Sequence, residues 1–385
     1  MATAPRMRVK FHDLAPQHDR LRPQLDAAIR SIIDGQRFEL GAEVYAFEEA
    51  FAAYIGTKHA VGVHSGTAAL HLALRALGVG AGDEVITVAN SDMSTPAAII
   101  HSGATPVLVD VERHSLNMDP AAFERAITPR TKAVLPVHMY GRPAEMDPIM
   151  EVARRRGLVV VEDACIACGA TYRGKKLGAF GDAGCFSFAP SKVLGAFGWG
   201  GMITTNNDET ATRIKMLRAY GEDPAKFPPP SAGFRFAPLS PEILGWNQRL
   251  DTLQAAILLV KLPHVDAMVE QRREIADRYR DGFQGSAVTM PSEPDHIRGS
   301  YRNVLVRIKN RDAVRRALYE AGIPTGTHYN PPCHLMPAFS HLGYGPGALP
   351  ETEHASRELL TLPVYPGMPV EDVDLVVEHL RRFAS

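Results

Sequence analysis

The sequence predicts an α/β protein: a large α/β/α domain on a mostly parallel sheet, followed by a smaller α+β C-terminal domain. Three observations carry this. Short apolar runs alternate with stretches of helical period from about residue 60 to 205, the pattern of βαβ units. A long helical stretch then runs from Leu253 through Arg272 and Ile275 to Tyr279. Beyond it the rhythm changes to a strand, a helix and a closing helix. With 385 residues the chain can bury one large core and a smaller one.

The elements follow from periodicity. Leu21 to Ile33 and Glu43 to Tyr54 have amphipathic helical spacing. Ala60 to Val63 reads as a strand, broken by Ser65-Gly66-Thr67, and Ala68 to Leu77 returns to helical period. Further strands are expected at Val85–Val88, Pro106–Val109, Ala133–Val137, Leu158–Val161, Cys185–Phe188 and Met202–Thr205. Helices are expected at Pro96–His101 and Glu145–Arg156. The last third should hold a strand at Arg302–Ile308 and helices at Asp312–Glu320 and Val370–Phe383. The division expected is a large domain over 12–265, a small domain over 266–385, and residues 1–11 as an arm. Lys226 to Pro241, rich in Pro and Ser, reads as a loop over a site.

Composition narrows the function classes. Lys and Arg number 42 against 43 Asp and Glu, which argues against nucleic acid or an anionic membrane as the main partner. No run reaches the ~18 apolar residues a membrane span needs. Arg6, Arg8 and Lys10 are followed by no apolar core, so no signal peptide is read and a cytoplasmic location is expected. Cys165, Cys168, Cys185 and Cys333 are too few for a disulfide scaffold. Cys165 and Cys168 form a C-x-x-C pair, but no second pair completes a zinc set, and two small buried thiols are expected.

Four features carry chemistry. Ser65-Gly66-Thr67-Ala68 lies at a strand-to-helix turn, where free N–H groups and the helix dipole suit a phosphate. Asp163 follows a strand, where ligands of open α/β sheets collect; a carboxylate there can keep a pyridinium nitrogen protonated. Ser187-Phe188-Ala189-Pro190-Ser191-Lys192 follows another strand and precedes Gly195, Gly198, Gly200 and Gly201. A lysine in such surroundings can have a lowered pKa and condense with an aldehyde. Gly245-Trp246-Asn247-Gln248-Arg249 supplies donors for an anion. Each alone has a plainer reading: a tight turn, a helix cap, a surface lysine, an ordinary helix start.

Taken in order, the four features resemble the DegT/DnrJ/EryC1/StrS family of sugar aminotransferases, which has the aspartate-aminotransferase fold. Further matches are Gly41 with Phe47-Glu48, Gly82-Asp83-Glu84-Val85-Ile86, His138-Met139-Tyr140-Gly141 and Glu162-Asp163-Ala164. They continue through Gly181-Asp182-Ala183-Gly184-Cys185-Phe186-Ser187-Phe188, His328-Tyr329 and Leu362-Pro363. The resemblance implies pyridoxal 5'-phosphate as cofactor, joined to Lys192. It implies Asp163 at the pyridinium and Gly66, Thr67, Ala68 and Ser187 around the phosphate. It also implies Asn247 reaching the neighbouring subunit's cofactor, hence a homodimer with shared active sites. Arg249 would lie toward the substrate, and His328 and Tyr329 on the small-domain side, near the acceptor.

The sequence departs from the family at four places, all expected near the cofactor. Asp92 stands where an aromatic residue usually covers the ring, and Ile166 where a Gln usually touches the ring hydroxyl. Cys168 replaces a usual His, and Trp199 a usual acidic residue. Asp92 has two readings: facing the ring, or capping the helix near Pro96 with Met93 over the ring. The reaction implied is amino transfer from glutamate or glutamine to a keto-sugar, most often nucleotide-linked. Alternatives are a cyclitol or unlinked keto-sugar as acceptor, a sugar dehydratase, for which a histidine would replace Lys192, and a cofactor-binding regulator.

Overall fold

A computed structural model describes residues 5–222 and 241–384. The loop expected at Lys226 to Pro241 lies outside the described residues, apart from Pro241 itself. Helices α1 (Ala15–Gly35) and α2 (Ala42–Ile55) precede β1 (His59–Val63) and α3 (Gly66–Ala76). Then come β2 (Glu84–Val88), α4 (Ser94–His101), β3 (Thr105–Val109), α5 (Pro120–Arg125), β4 (Thr131–Val134), α6 (Met146–Arg156) and β5 (Val159–Asp163). A two-residue ribbon, β6 (Thr171–Tyr172) and β7 (Lys175–Lys176), leads to β8 (Ala183–Ser187), β9 (Gly201–Thr205) and α7 (Asp208–Leu217). The remainder is α8 (Thr252–Lys261), α9 (Val265–Gly282), β10 (Ile297–Arg298), β11 (Val304–Arg307), α10 (Arg311–Glu320), α11 (Pro350–Glu358), β12 (Leu359–Leu362) and α12 (Val370–Ala384).

Seven strands form the main sheet in the order β1-β9-β8-β5-β4-β2-β3. Pairs β2·β3, β2·β4, β4·β5 and β5·β8 are parallel, and β9 runs antiparallel to both neighbours. This is the mostly parallel sheet that the alternation predicts. Its strands are buried on both faces, so they read as continuous Val- and Ile-rich runs such as Glu84–Val88. The carboxyl ends of β2, β4, β5 and β8 therefore share one edge, where the loops of an open α/β sheet gather ligands.

Two apolar cores result. The first surrounds the main sheet, from Val44 and Phe47 through Leu70, Val85, Val134 and Phe186 to Leu258. The second joins β11, β12, α10 and α12 through Val304, Val306, Leu318, Leu360 and Val376. Helix α9 serves both: Val265, Met268 and Val269 pack in the first, and Ile275, Ala276 and Tyr279 in the second. The handover thus falls inside α9 rather than at its first residue. Near the N-terminus Val9 is 1 % exposed in the second core, and Arg8 N donates to Gly322 O at 2.8 Å.

Three element bounds differ from expectation for local reasons. The strand expected over Ala133–Val137 ends at Val134, because Pro136 has no N–H for the ladder. The strand expected from Arg302 begins at Val304. The long helix is interrupted at Leu262–His264 by a 3-10 turn containing Pro263. Thr252–Gly282, 31 residues, is long and apolar enough to pass as a membrane span, contrary to the expectation that no run is. Of its most apolar 18-residue window 56 % is buried inside the protein, as in a core helix.

Candidate active site

The site is built from the carboxyl edge of the sheet. Three valines before Glu162 and Asp163 make β5 a strand buried from Val160 onward, whose last residue reaches the edge. Asp163 is 4 % exposed. Its Oδ2 accepts a hydrogen bond from Thr95 Oγ1 at 2.8 Å, and its Oδ1 accepts one from Cys165 N at 3.1 Å. Thr95 is itself held by Ser91 Oγ at 2.7 Å. Both carboxylate oxygens are therefore oriented before any ligand arrives. Glu162 accepts from Gly178 N, Phe180 N and Gly181 N at 2.7–2.9 Å and meets His138 Nε2 at 3.1 Å. That pair is fully buried and fixes the turn before β8.

Ser187 ends β8, and residues 188–200 fold back as a compact loop. Phe188 N donates to Gly200 O at 2.7 Å, Ala196 N to Phe188 O at 2.8 Å and Lys192 N to Ala189 O at 2.9 Å. Gly195 must lack a side chain, since a Cβ there would lie 2.3 Å from Pro190 O. Buried Lys261 donates to Gly195 O and ties the loop to α8. The loop presents Lys192, whose side chain has no hydrogen bond or ion pair among the described residues. Burial holds its pKa below the ordinary lysine value and Arg302 adds to this, while Cys165, Asp92 and Asp163 act in the opposite sense. A larger neutral fraction makes the amine a better nucleophile and base.

Helix α3 begins beside this loop. Ser65 caps it by accepting from Ala68 N at 3.1 Å. A Cβ on Gly66 would stand 2.7 Å from Ser187 Cβ and 2.8 Å from Cys165 Sγ. Only glycine lets the helix start approach β8 and the turn after β5 so closely. Gly66, Thr67 and Ala68 thus converge with Ser187 at a positive helix end.

The other expected residues divide into two groups. Asp92 is exposed and accepts from Ser94 N at 2.9 Å and Ser94 Oγ at 2.7 Å, so it braces the start of α4. Its charge nevertheless acts on Lys192, His328 and Tyr329. Met93 is 59 % exposed. Ile166 is buried in the turn after β5, with its carbonyl beside Gly141. His328 bonds Thr361 Oγ1 through Nδ1 at 2.9 Å. Burial, helped by Arg302, lowers its pKa to about 4, and burial pushes the Tyr329 phenol up. Asn247 and Arg249 stand apart: with Glu39, His64 and Asp251 they line a separate surface cavity of about 260 Å³. Arg249 donates to Asn247 Oδ1 at 3.1 Å. None of the contacts of Asp163, Ser187 or Lys192 described above involves either residue.

The profile of the DegT/DnrJ/EryC1/StrS aminotransferase family matches residues 19–381. The chain belongs to this family. It is 42 % identical over 380 residues to a pleiotropic regulatory protein of Geobacillus stearothermophilus, covering 98 % of this chain and 99 % of that one. It is 42 % identical to the dTDP-3-amino-3,4,6-trideoxy-alpha-D-glucose transaminase of Streptomyces venezuelae, covering 98 % and 97 %. The crystal structure of S. venezuelae DesV in complex with a ketimine intermediate superposes with a TM-score of 0.92 at 41 % identity, covering 99 % of each chain. The pyridoxal phosphate form of the putative sugar aminotransferase Spr1654 from Streptococcus pneumoniae gives 0.86 at 26 % identity, covering 94 % and 96 %. Membership in the DegT/DnrJ/EryC1/StrS family makes this protein an aminotransferase of the aspartate-aminotransferase fold and implies pyridoxal phosphate as cofactor.

Cys168 is buried near Tyr54, Lys176 and Asp266, and Trp199 is 62 % exposed. Thr95 and Arg302 were not found from sequence. Thr95 carries a readable signal, a hydroxyl in the first turn after a strand's carboxyl end; Arg302 carries none, because it sits where a strand is expected.

Proposed function

We propose that the protein transfers an amino group from glutamate or glutamine to the keto group of a sugar, nucleotide-linked, with pyridoxal phosphate held at Lys192. The carrying observation is the convergence of Lys192, Asp163, Ser187 and the α3 N-terminus at one sheet edge. The residues fit the cofactor by their chemistry: an unpaired amine for its aldehyde, an oriented carboxylate for its ring nitrogen, and a capped helix start for its phosphate. Gly66 leaves room where any Cβ would strike Ser187 and Cys165. The similarity to the dTDP-3-amino-3,4,6-trideoxy-alpha-D-glucose transaminase of S. venezuelae supports the substrate class.

When bound, pyridoxal phosphate supplies the electron sink for the reacting carbon. Asp163 would keep the ring nitrogen protonated, and Thr95 and the Cys165 amide keep Asp163 from turning away. The Thr67 amide with Ser187 Oγ would hold the phosphate, beside the Ala68 amide that Ser65 caps. Lys192 Nζ would bind the cofactor and carry the proton between donor carbon and cofactor, a role suited to an amine whose pKa lies below the ordinary lysine value.

Incubation of the holoenzyme with glutamate or glutamine and a panel of nucleotide-linked and free keto-sugars tests this by mass spectrometry. Conversion of a nucleotide-linked ketone to the amine is expected. Amination of unlinked sugars alone, or of no sugar, overturns the substrate class.

Asn247 and Arg249 fit a shared site in a homodimer, because within one chain they lie apart from Lys192's partners and offer donors to an anion. Mixing Asn247→Ala with Lys192→Ala subunits should restore one working site per mixed dimer. No recovery on mixing, with each monomer binding cofactor alone, contradicts the shared site.

A further inference from the structure

Arg302 is placed by its neighbours. Ser300 N donates to Gly141 O at 2.8 Å and Asn303 N to Tyr140 O at 3.2 Å. The segment therefore lies against the turn that follows β4, at the sheet edge where Asp163 sits. Gly141 has φ +89°, and a Cβ on it would stand 2.9 Å from Arg302 N and 3.2 Å from Ile166 O. Tyr140 Oη donates to His328 O at 3.1 Å, which brings the His328 segment to the same turn.

Arg302 is half-buried, and its guanidinium differs from those of the buried arginines Arg218, Arg272 and Arg311 in having no partner at all among the described residues. Arg218 pairs with Glu48, Arg272 donates to Val364 O, and Arg311 donates to Leu359 O and pairs with Asp312. Arg302 makes no hydrogen bond or ion pair among the described residues, and its Nε is sealed from solvent without a partner. The carboxylates of Asp92 and Asp163 act on some of the same neighbours, Lys192 and Tyr329, but neither pairs with Arg302. Its charge acts on Lys192, His328, His12 and Arg272, and the one group that opposes its discharge is the Tyr329 phenol. A guanidinium withdrawn from water at Nε and left without a hydrogen-bonded partner is costly, which suits a site whose partner is an arriving anion. The guanidinium fork matches a carboxylate in two parallel hydrogen bonds.

We propose that Arg302, with His328 beside it, is the subsite that receives the carboxylate of the amino donor. An α-amino acid carries its carboxylate on the carbon that bears the reacting nitrogen. Presenting that nitrogen at Lys192 therefore brings the carboxylate to the same edge. A keto-sugar has no charge next to its reacting carbon, and the phosphates of a nucleotide-linked sugar lie farther along the molecule. Arg302 thus selects for the donor and not the acceptor. The inference rests on the reading of Lys192 as the reactive lysine.

The test is calorimetric titration of holoenzyme with glutarate, a dicarboxylate that has no amino group to react, and separately with inorganic pyrophosphate. Wild type, Arg302→Gln and Arg302→Lys are compared. Glutarate should bind wild type, weaken roughly tenfold or more in Arg302→Gln, and weaken less in Arg302→Lys, as for loss of a charge-assisted contact. Pyrophosphate binding should be the same in all three. Glutarate affinity unchanged by Arg302→Gln, no glutarate binding in wild type, or loss of pyrophosphate binding in its place overturns the proposal. If Arg302→Gln does not fold, Arg302→Lys decides, since an ammonium cannot reproduce the fork; unchanged glutarate affinity there is contrary. Failure of the Lys192 reading shows separately, as reduced cofactor mapped to another lysine while the glutarate effect persists.

Discussion

Asp163 and Arg302 both act on Lys192, and the protein treats them in opposite ways. Asp163 has both oxygens engaged, one by Thr95 and one by the Cys165 amide. Arg302 has nothing engaged, and its Nε is buried without a partner. The first is a finished part of the scaffold, oriented by residues that are oriented themselves. The second is stable only as half of a contact. A group whose hydrogen bonds are complete positions a bound ligand; a buried charge whose bonds are missing marks where part of the ligand must arrive. The same contrast separates Glu162, which has three amide donors and His138, from His12, whose two ring nitrogens are buried without a partner.

Substitutions on the two sides should therefore differ in sign as well as size. Glu162→Gln breaks a fully buried pair and turns an amide toward backbone donors. It should cost about 3–5 kcal/mol, the usual loss when one partner of a buried pair is removed. Denaturant unfolding at neutral pH measures this, and a loss under 1 kcal/mol, roughly the worth of one ordinary hydrogen bond, would mean that Glu162 is not structural.

Thr95→Val removes one charge-assisted bond to Asp163 at little change in volume. A loss of about 1.5–3 kcal/mol is expected, with weaker cofactor binding. Cofactor affinity unchanged in this variant would separate Asp163 from the ring nitrogen.

Arg302→Met should behave the other way in the absence of substrate. Replacing an unpaired, half-buried charge by an apolar chain of similar length should leave stability within about 1 kcal/mol or raise it. A large loss would show that Arg302 is a structural cation.

The smallest effect is in acid. His12 and His328 are held at about 4, first by burial and then by Arg302. Their folded pKa values lie below the ordinary 6.5, so the stability they contribute is complete above about 6.5 and is lost as pH falls toward 4. Removing the Arg302 charge should narrow that window from its lower end. A thermal-melt profile of Arg302→Met superimposable on wild type between pH 4 and 6.5 would uncouple the histidines from Arg302.

Much of the satisfied side was legible in the sequence, and little of the unsatisfied side. The run Val159 to Val161 announces a buried strand, and Asp163 two residues on must then reach the sheet edge. Ser65-Gly66 reads as a cap and a close approach because a strand and a helix flank it. Thr95 was not legible as Asp163's partner, since that contact depends on the sheet order that places β2 and α4 near β5. The antiparallel course of β9 was hidden for the same reason: a strand's run of residues does not state its direction. The pairs β6, β7 and β10 are too short to show a period. Arg302 is legible only after folding, because what distinguishes it is the partner it lacks.

The central claim is that the edge formed by Asp163, Ser187 and the α3 start presents Lys192 to the cofactor. Borohydride reduction of the holoenzyme followed by peptide mapping tests it most directly. The account requires the pyridoxyl group on Lys192. A label on Lys175, Lys176 or Lys261, with Lys192 unmodified, would contradict it.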